Sequence, residues 1–152
     1  MKLLATASAL CMALATSAAF ASVEPTEKDA IAMVERSAAM LKSKGKEELI
    51  KKINAKDPEF VKGSLYVYVR DLKTGVLLAH PINASIVGKD LVDVPDTNGK
   101  PYRREILELA GRTGKGWVDY TYKNPATGKV EPKTTYIMRV DDVVLEAGIY
   151  KK

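Results

Sequence analysis

The chain has 152 residues, with 24 Lys and Arg against 19 Asp and Glu for a formal charge of +5, and it carries one histidine and one cysteine. A single cysteine excludes a disulfide framework, one histidine gives poor support to a zinc centre, and little remains for a nucleophile paired with a base. The basic excess is dispersed among acids, which argues against nucleic acid as a partner and suits a mild attraction for small anions.

Residues 1–21 read as an export leader. Lys2 is a minimal positive start, an alanine-rich apolar run follows, and Ala19-Phe20-Ala21 is an A-x-A cleavage signal. The run is too short and wrongly flanked for a retained anchor, so the chain is not expected to span a membrane. Cys11 follows Leu10, where lipoprotein processing wants a small residue. Cleavage after Ala21 leaves 22–152, a single cysteine-free domain of 131 residues with 23 basic and 19 acidic side chains, expected in the periplasm or secreted.

The exported part opens with Thr26 as a helix cap before Glu27 and Asp29, and Ala30, Met33, Val34, Met40 and Leu41 recur at helical spacing. Lysines around Gly45 mark the end of that helix. A second helix is predicted over 46–55, stopped by Asp57-Pro58. The lysines here alternate with acids and read as a solvated face. A β-rich run over 65–70, the turn at Asp71–Gly75 and a return over 76–79 make a hairpin, followed by His80-Pro81 and a looped connection. Pro101 is suited to the first position of a third helix, on which Arg103 shares the side of Ile106, Leu107 and Ala110. Strands over 117–122, 133–140 and 143–150 complete a count of five. Helices segregated from hairpin-linked strands indicate an α+β domain built on an antiparallel sheet.

Catalysis finds little support. Asp141-Asp142 resembles a carboxylate pair but sits where a tight turn belongs, and Gly111, Gly114 and Gly116 follow a helix instead of opening one. The expectation is a non-enzyme without cofactor. Binding has more candidates. Arg103 or Arg104 suits a carboxylate held bidentately, Lys133 a point charge, and His80 or a tyrosine hydroxyl a second polar contact. Trp117 and Tyr120, with Tyr66 or Tyr68, offer flat apolar walls, although strand alternation leaves open whether Trp117 and Tyr120 share a face. His80 suits backbone groups at a turn equally well, and Arg104 suits a surface ion pair with Glu105 or Glu108.

Eight segments in order carry a resemblance: Tyr66 to Asp71, Thr74-Gly75, Ala79-His80-Pro81, Val87 to Leu91, Asn98 to Pro101 with Arg104-Glu105, Gly116 to Tyr120, Glu131-Pro132-Lys133 and Gly148-Ile149-Tyr150. Together they resemble the single Cache domain of bacterial extracytoplasmic sensors. The resemblance implies a PAS-like fold, with a long N-terminal helix behind a five-stranded sheet and a small-molecule pocket between the sheet and a helical crossover. It implies Tyr68, His80, Arg104, Trp117, Tyr120 and Lys133 as ligand-binding residues, to which the helix face adds Arg103. Where the family often has a tryptophan and a Gly-Thr-Gly run, this chain has Val143-Val144-Leu145-Glu146-Ala147-Gly148, so Glu146 either alters the pocket's charge or faces solvent. The expected function is a free-standing periplasmic sensor of a small organic acid, acting without turnover through a membrane receptor or histidine kinase. The alternative is a structural or adaptor subunit whose pocket is filled by its own side chains.

Overall fold

The computed structural model describes residues 23–151, so the expected leader lies outside the described residues. Three helices and six strands follow in the order α1 (Glu27–Lys44), α2 (Lys46–Asn54), β1 (Val61–Lys62), β2 (Leu65–Asp71), β3 (Leu77–Ala79), α3 (Tyr102–Arg112), β4 (Lys115–Lys123), β5 (Val130–Val140) and β6 (Val143–Tyr150). The sheet is antiparallel, in the order β1-β2-β6-β5-β4. β3 also pairs with β2, at Val69 and Arg70, while β1 pairs at Tyr66 and Leu65. β1 and β3 therefore share one edge of β2, at its two ends. The five expected strands are present; β1 is an addition, and two residues show no period to read.

α1 begins where the capping pattern places it. The Thr26 N–H donates to Asp29 Oδ2 at 2.8 Å and the Asp29 N–H donates back to Thr26 Oγ1 at 3.3 Å, which satisfies two donors that the helix start leaves orphaned. Ala30, Met33, Val34, Ser37, Ala38 and Leu41 form its buried stripe. The only polar member is satisfied internally, since Ser37 Oγ donates to the Met33 carbonyl at 2.8 Å. α1 packs on β2, β5 and β6 with Val67, Val69, Leu145 and Ala147 beneath it. At the start of α3, Pro101 is the cap and Tyr102 the first helical residue, one position later than expected.

The other face is covered by the chain between β3 and β4. These strands lie at opposite edges of the sheet, so their connection must cross a face, and α1 already fills the first. The crossover contains a 3-10 turn, Ala84–Ile86, and α3. It is fastened to β4 by Asp96, whose Oδ2 accepts from the Thr121 N–H at 2.8 Å while its Oδ1 accepts from Asn98 and Lys100. Gly75 lets it lie close: a Cβ there would meet Val92 Cγ2 at 2.2 Å, and its φ of 73° is in the left-handed region. Asp141 and Asp142 form the β5–β6 turn, with Asp141 at φ 52° and Asp142 paired to Lys46 at 2.6 Å.

Candidate functional site

Because side chains alternate across a sheet, the strands that give α1 its apolar bed present a different set to the crossover: Tyr66, Tyr68 and Arg70 from β2, Tyr120 and Tyr122 from β4, Lys133 and Thr135 from β5, and Glu146 and Tyr150 from β6. Register places Lys133 between Tyr120 and Tyr150. Its ammonium is 3.0 Å from Tyr66 Oη, and lies 4.3 Å from the ring centre of Tyr66, 5.0 Å from Tyr150, 5.4 Å from Tyr122 and 5.6 Å from Tyr68. Its stem runs over Gly148, where a Cβ would sit 2.7 Å from Lys133 Cε. Lys133 is 1% exposed, and among the described residues no carboxylate is within ion-pair distance of it. Burial lowers its pKa to about 7, with Glu146 opposing the shift, so the ammonium stands close to losing its proton at neutral pH.

Glu146 does not face solvent. It is fully buried and takes Arg70 as its partner, with Nε to Oε1 at 2.7 Å and Nη2 to Oε2 at 3.4 Å. Arg70 Nη1 donates to the Gly75 carbonyl at 3.0 Å. Burial works against the guanidinium charge, but Glu146 more than offsets it and holds the Arg70 pKa above its ordinary value. His80 is neutral: burial first, then the charges of Lys133 and Arg70, lower its pKa to about 3. Its Nδ1 accepts from the N–H groups of Asn83 at 2.9 Å and Ile82 at 3.2 Å, which puts the imidazole proton on Nε2. The turn-satisfying role and the cleft position are thus filled by the same ring. Tyr68 Oη bonds to Tyr120 Oη at 2.8 Å and Tyr120 Oη to Thr135 Oγ1 at 2.9 Å, a chain of hydroxyls held protonated by burial. Tyr102 of α3 stacks on Tyr120 at 4.0 Å, and the Arg103 guanidinium lies 4.4 Å from the Tyr102 ring centre, with Nη1 donating to the Val94 carbonyl at 2.6 Å.

Tyr66, Tyr68, His80, Arg103 and Tyr122 line the space that remains between sheet and crossover, about 10 Å³ and hence room for one water. Outside it, a groove of about 290 Å³ runs past Tyr66, His80 and Tyr122 toward Asn124 and Pro125. Among the described residues the cleft gathers three buried cations, Arg70 and Lys133 from the sheet and Arg103 from α3, against one buried anion, Glu146, an excess that suits an anionic ligand.

The model of the family described as single Cache domain 2 matches residues 20–152. The chain belongs to this family. Solved structures agree in fold. The periplasmic sensor domain of a chemotaxis protein superposes with a TM-score of 0.65 at 24% identity, over 82% of this chain and 90% of that one. A methyl-accepting chemotaxis protein from Vibrio parahaemolyticus RIMD 2210633 gives 0.69 at 23% identity, over 81% and 86%. A Cache chemosensory domain, described as recognising carboxylic acid, gives 0.64 at 20% identity, over 82% and 88%. Cache domains are extracytoplasmic ligand-binding modules of signalling proteins, and no helix among the described residues of this one is long and apolar enough to cross a membrane.

Of the residues expected at the site of this Cache domain, the structure brings together Tyr68, His80, Arg103, Tyr120 and Lys133 and leaves out two. Trp117 projects to the α1 face, 5.3 Å from Tyr136, because an odd and an even position on one strand face opposite ways. Arg104 is exposed and pairs with Asp93, because its neighbour Arg103 already takes the inward direction on α3. The expected surface ion pair forms, but with Asp93 in place of Glu105 or Glu108. Arg70, Tyr102, Tyr122 and Tyr150 were not singled out. Strand parity was the available signal for Arg70, which lies two positions from Tyr68, and for Tyr122, two from Tyr120.

Proposed function

We propose that this Cache domain is the ligand-binding part of a periplasmic sensor for a small organic acid, with Lys133 receiving the carboxylate and the tyrosines and His80 closing around it. The observation that carries this reading is the buried ammonium of Lys133, which has hydroxyl and aromatic neighbours but no acid of its own. An ammonium withdrawn from water loses solvation that a ligand carboxylate would restore. Tyr66 Oη and the Nε2–H of His80 supply donors for the second oxygen. Because the free space is about 10 Å³, an acid enters only if the crossover and the sheet move apart, and this movement is what a membrane receptor or histidine kinase would read. No step of this scheme requires turnover.

The first test is a thermal-shift screen of residues 22–152 against short carboxylic acids, repeated with Lys133→Met. An acid at 100 times its dissociation constant adds about 2.7 kcal/mol to the stability of the parent, and the variant should show none of it. The same closure favours a second reading, an adaptor subunit whose cleft is permanently filled by its own side chains. Among the described residues α1 offers it little, since its large apolar side chains are buried or, for Ile31 and Met40, partly buried against the core. A panel without a single stabilising acid would sink the sensor reading and leave the adaptor.

A further inference from the structure

We infer that Glu146 is the residue that sets ligand class at this site: by holding Arg70 in a closed ion pair, it leaves the cleft one deep cation and restricts it to short acids bearing a single carboxylate. The inference rests on the sensor reading above and adds to it which acids are refused.

The argument begins with position. Glu146 lies at mid-sheet, in register with Tyr68 on one side and Ile137 on the other, and so points into the floor under the crossover. Arg70 lies on the same face and lines the small cavity. A guanidinium there is the planar, five-donor group that would otherwise receive a carboxylate bidentately. Three of its five N–H donors are already engaged, two by Glu146 and one by the Gly75 carbonyl, and its charge is met by Glu146. The pair is electrically neutral and both members are almost wholly buried, at 1% and 0% exposure. Arg103 is held at the rim by the Val94 carbonyl and also faces the outer groove beside Thr97 and Thr121. Lys133 lies behind the Tyr66 ring that lines the small cavity, so a carboxylate that enters once the cleft opens past that ring meets Lys133 as the deep cation without an acid partner. A second carboxylate beside it meets a cation that Glu146 has neutralised, and is desolvated without compensation. The bulk of the two side chains adds a limit on length, since they occupy the floor into which a longer ligand would extend.

Succinate is propionate extended by one carboxylate, so the parent comparison tests charge and length together and the two variants separate them. Titration calorimetry of residues 22–152, which contain every described element of the fold, should show propionate bound at least tenfold tighter than succinate. Glu146→Gln frees Arg70 with little change of shape, and the succinate-to-propionate affinity ratio should rise at least tenfold. That variant leaves a buried charge unpaired and can lose its fold, so Arg70→Ala/Glu146→Ala provides the second arm. It removes both charges and the bulk, and valerate should gain at least tenfold over propionate. A parent that binds succinate as well as propionate would overturn the inference while leaving acid sensing intact. So would propionate binding by the parent with both ratios unchanged in whichever variants fold. A parent that binds none of the three acids overturns the sensor reading and this inference with it.

Discussion

The two faces of one sheet are made from alternate residues of the same strands, and they differ in almost every physical respect. Under α1, Val67, Val69, Leu145 and Ala147 form a close-packed apolar layer, where stability comes from area removed from water. Under the crossover, Tyr66, Tyr68, Arg70, Lys133 and Glu146 form a layer of hydroxyls and charges that is just as buried. The first face holds the domain together whatever the second does. The second has three cations and one anion and depends on pairing and pH, which is what a binding surface needs and a core does not. On the proposed reading a single strand thus carries a stability function and a recognition function at adjacent positions, with Leu145 and Glu146 the sharpest instance.

That contrast can be broken most forcefully at Glu146. Glu146→Ala leaves the Arg70 charge buried alone and should lower stability by about 3–5 kcal/mol, whereas Arg70→Met/Glu146→Leu, which replaces the pair by apolar volume, should be neutral or stabilising. Urea denaturation of both measures the difference; equal losses would mean that shape, not charge, governs this face. Leu145→Ala, one residue away, should cost about 2–5 kcal/mol by leaving a cavity, with the ratio of acid affinities unchanged.

pH separates the faces next. The Lys133 pKa is lowered to about 7 in the fold against 10.5 in the unfolded chain, so between these values the unfolded state binds the extra proton and stability rises with pH. The gain should be about 2 kcal/mol from pH 7 to pH 9, at a limiting slope near 1.4 kcal/mol per unit, and Lys133→Met should abolish it. His80 acts with the same sign at lower pH. Its pKa is lowered from 6.5 to about 3, so its contribution is present above 6.5 and is lost as pH falls through that window. On the α1 side a smaller effect is expected, since Thr26→Ala removes the helix cap for about 1 kcal/mol, seen equally with and without an acid present. The smallest is Arg104→Ala. Its partner Asp93 is on the surface, so both the unfolding midpoint and acid affinity should stay where they are.

Much of this comparison is legible in the sequence. The cap at Thr26, the stripe down α1, the β6 limits and the inward turn of Arg103 follow from local rules that act over three or four residues. Parity along a strand was readable too, and applied strictly it would have removed Trp117 and added Arg70 and Tyr122. The resemblance to a Cache family rests on short segments in order, some of them turns, such as Thr74-Gly75 and Asn98 to Pro101, and others strand stretches, such as Tyr66 to Asp71 and Gly116 to Tyr120.

What the sequence determined by itself was the set of elements and the chemistry available to each face, because periodicity, capping and turn preference are properties of neighbouring residues. What only the tertiary structure decided was which charge meets which. Arg70 and Glu146 are 76 positions apart, and Lys133 and Tyr66 are 67 apart. Their encounter depends on β6 pairing with both β2 and β5, and on a crossover that excludes water above them. Whether a buried lysine is satisfied or left for a ligand depends on groups brought close by the whole fold, since electrostatic energy follows distance and solvent exclusion and not order along the chain.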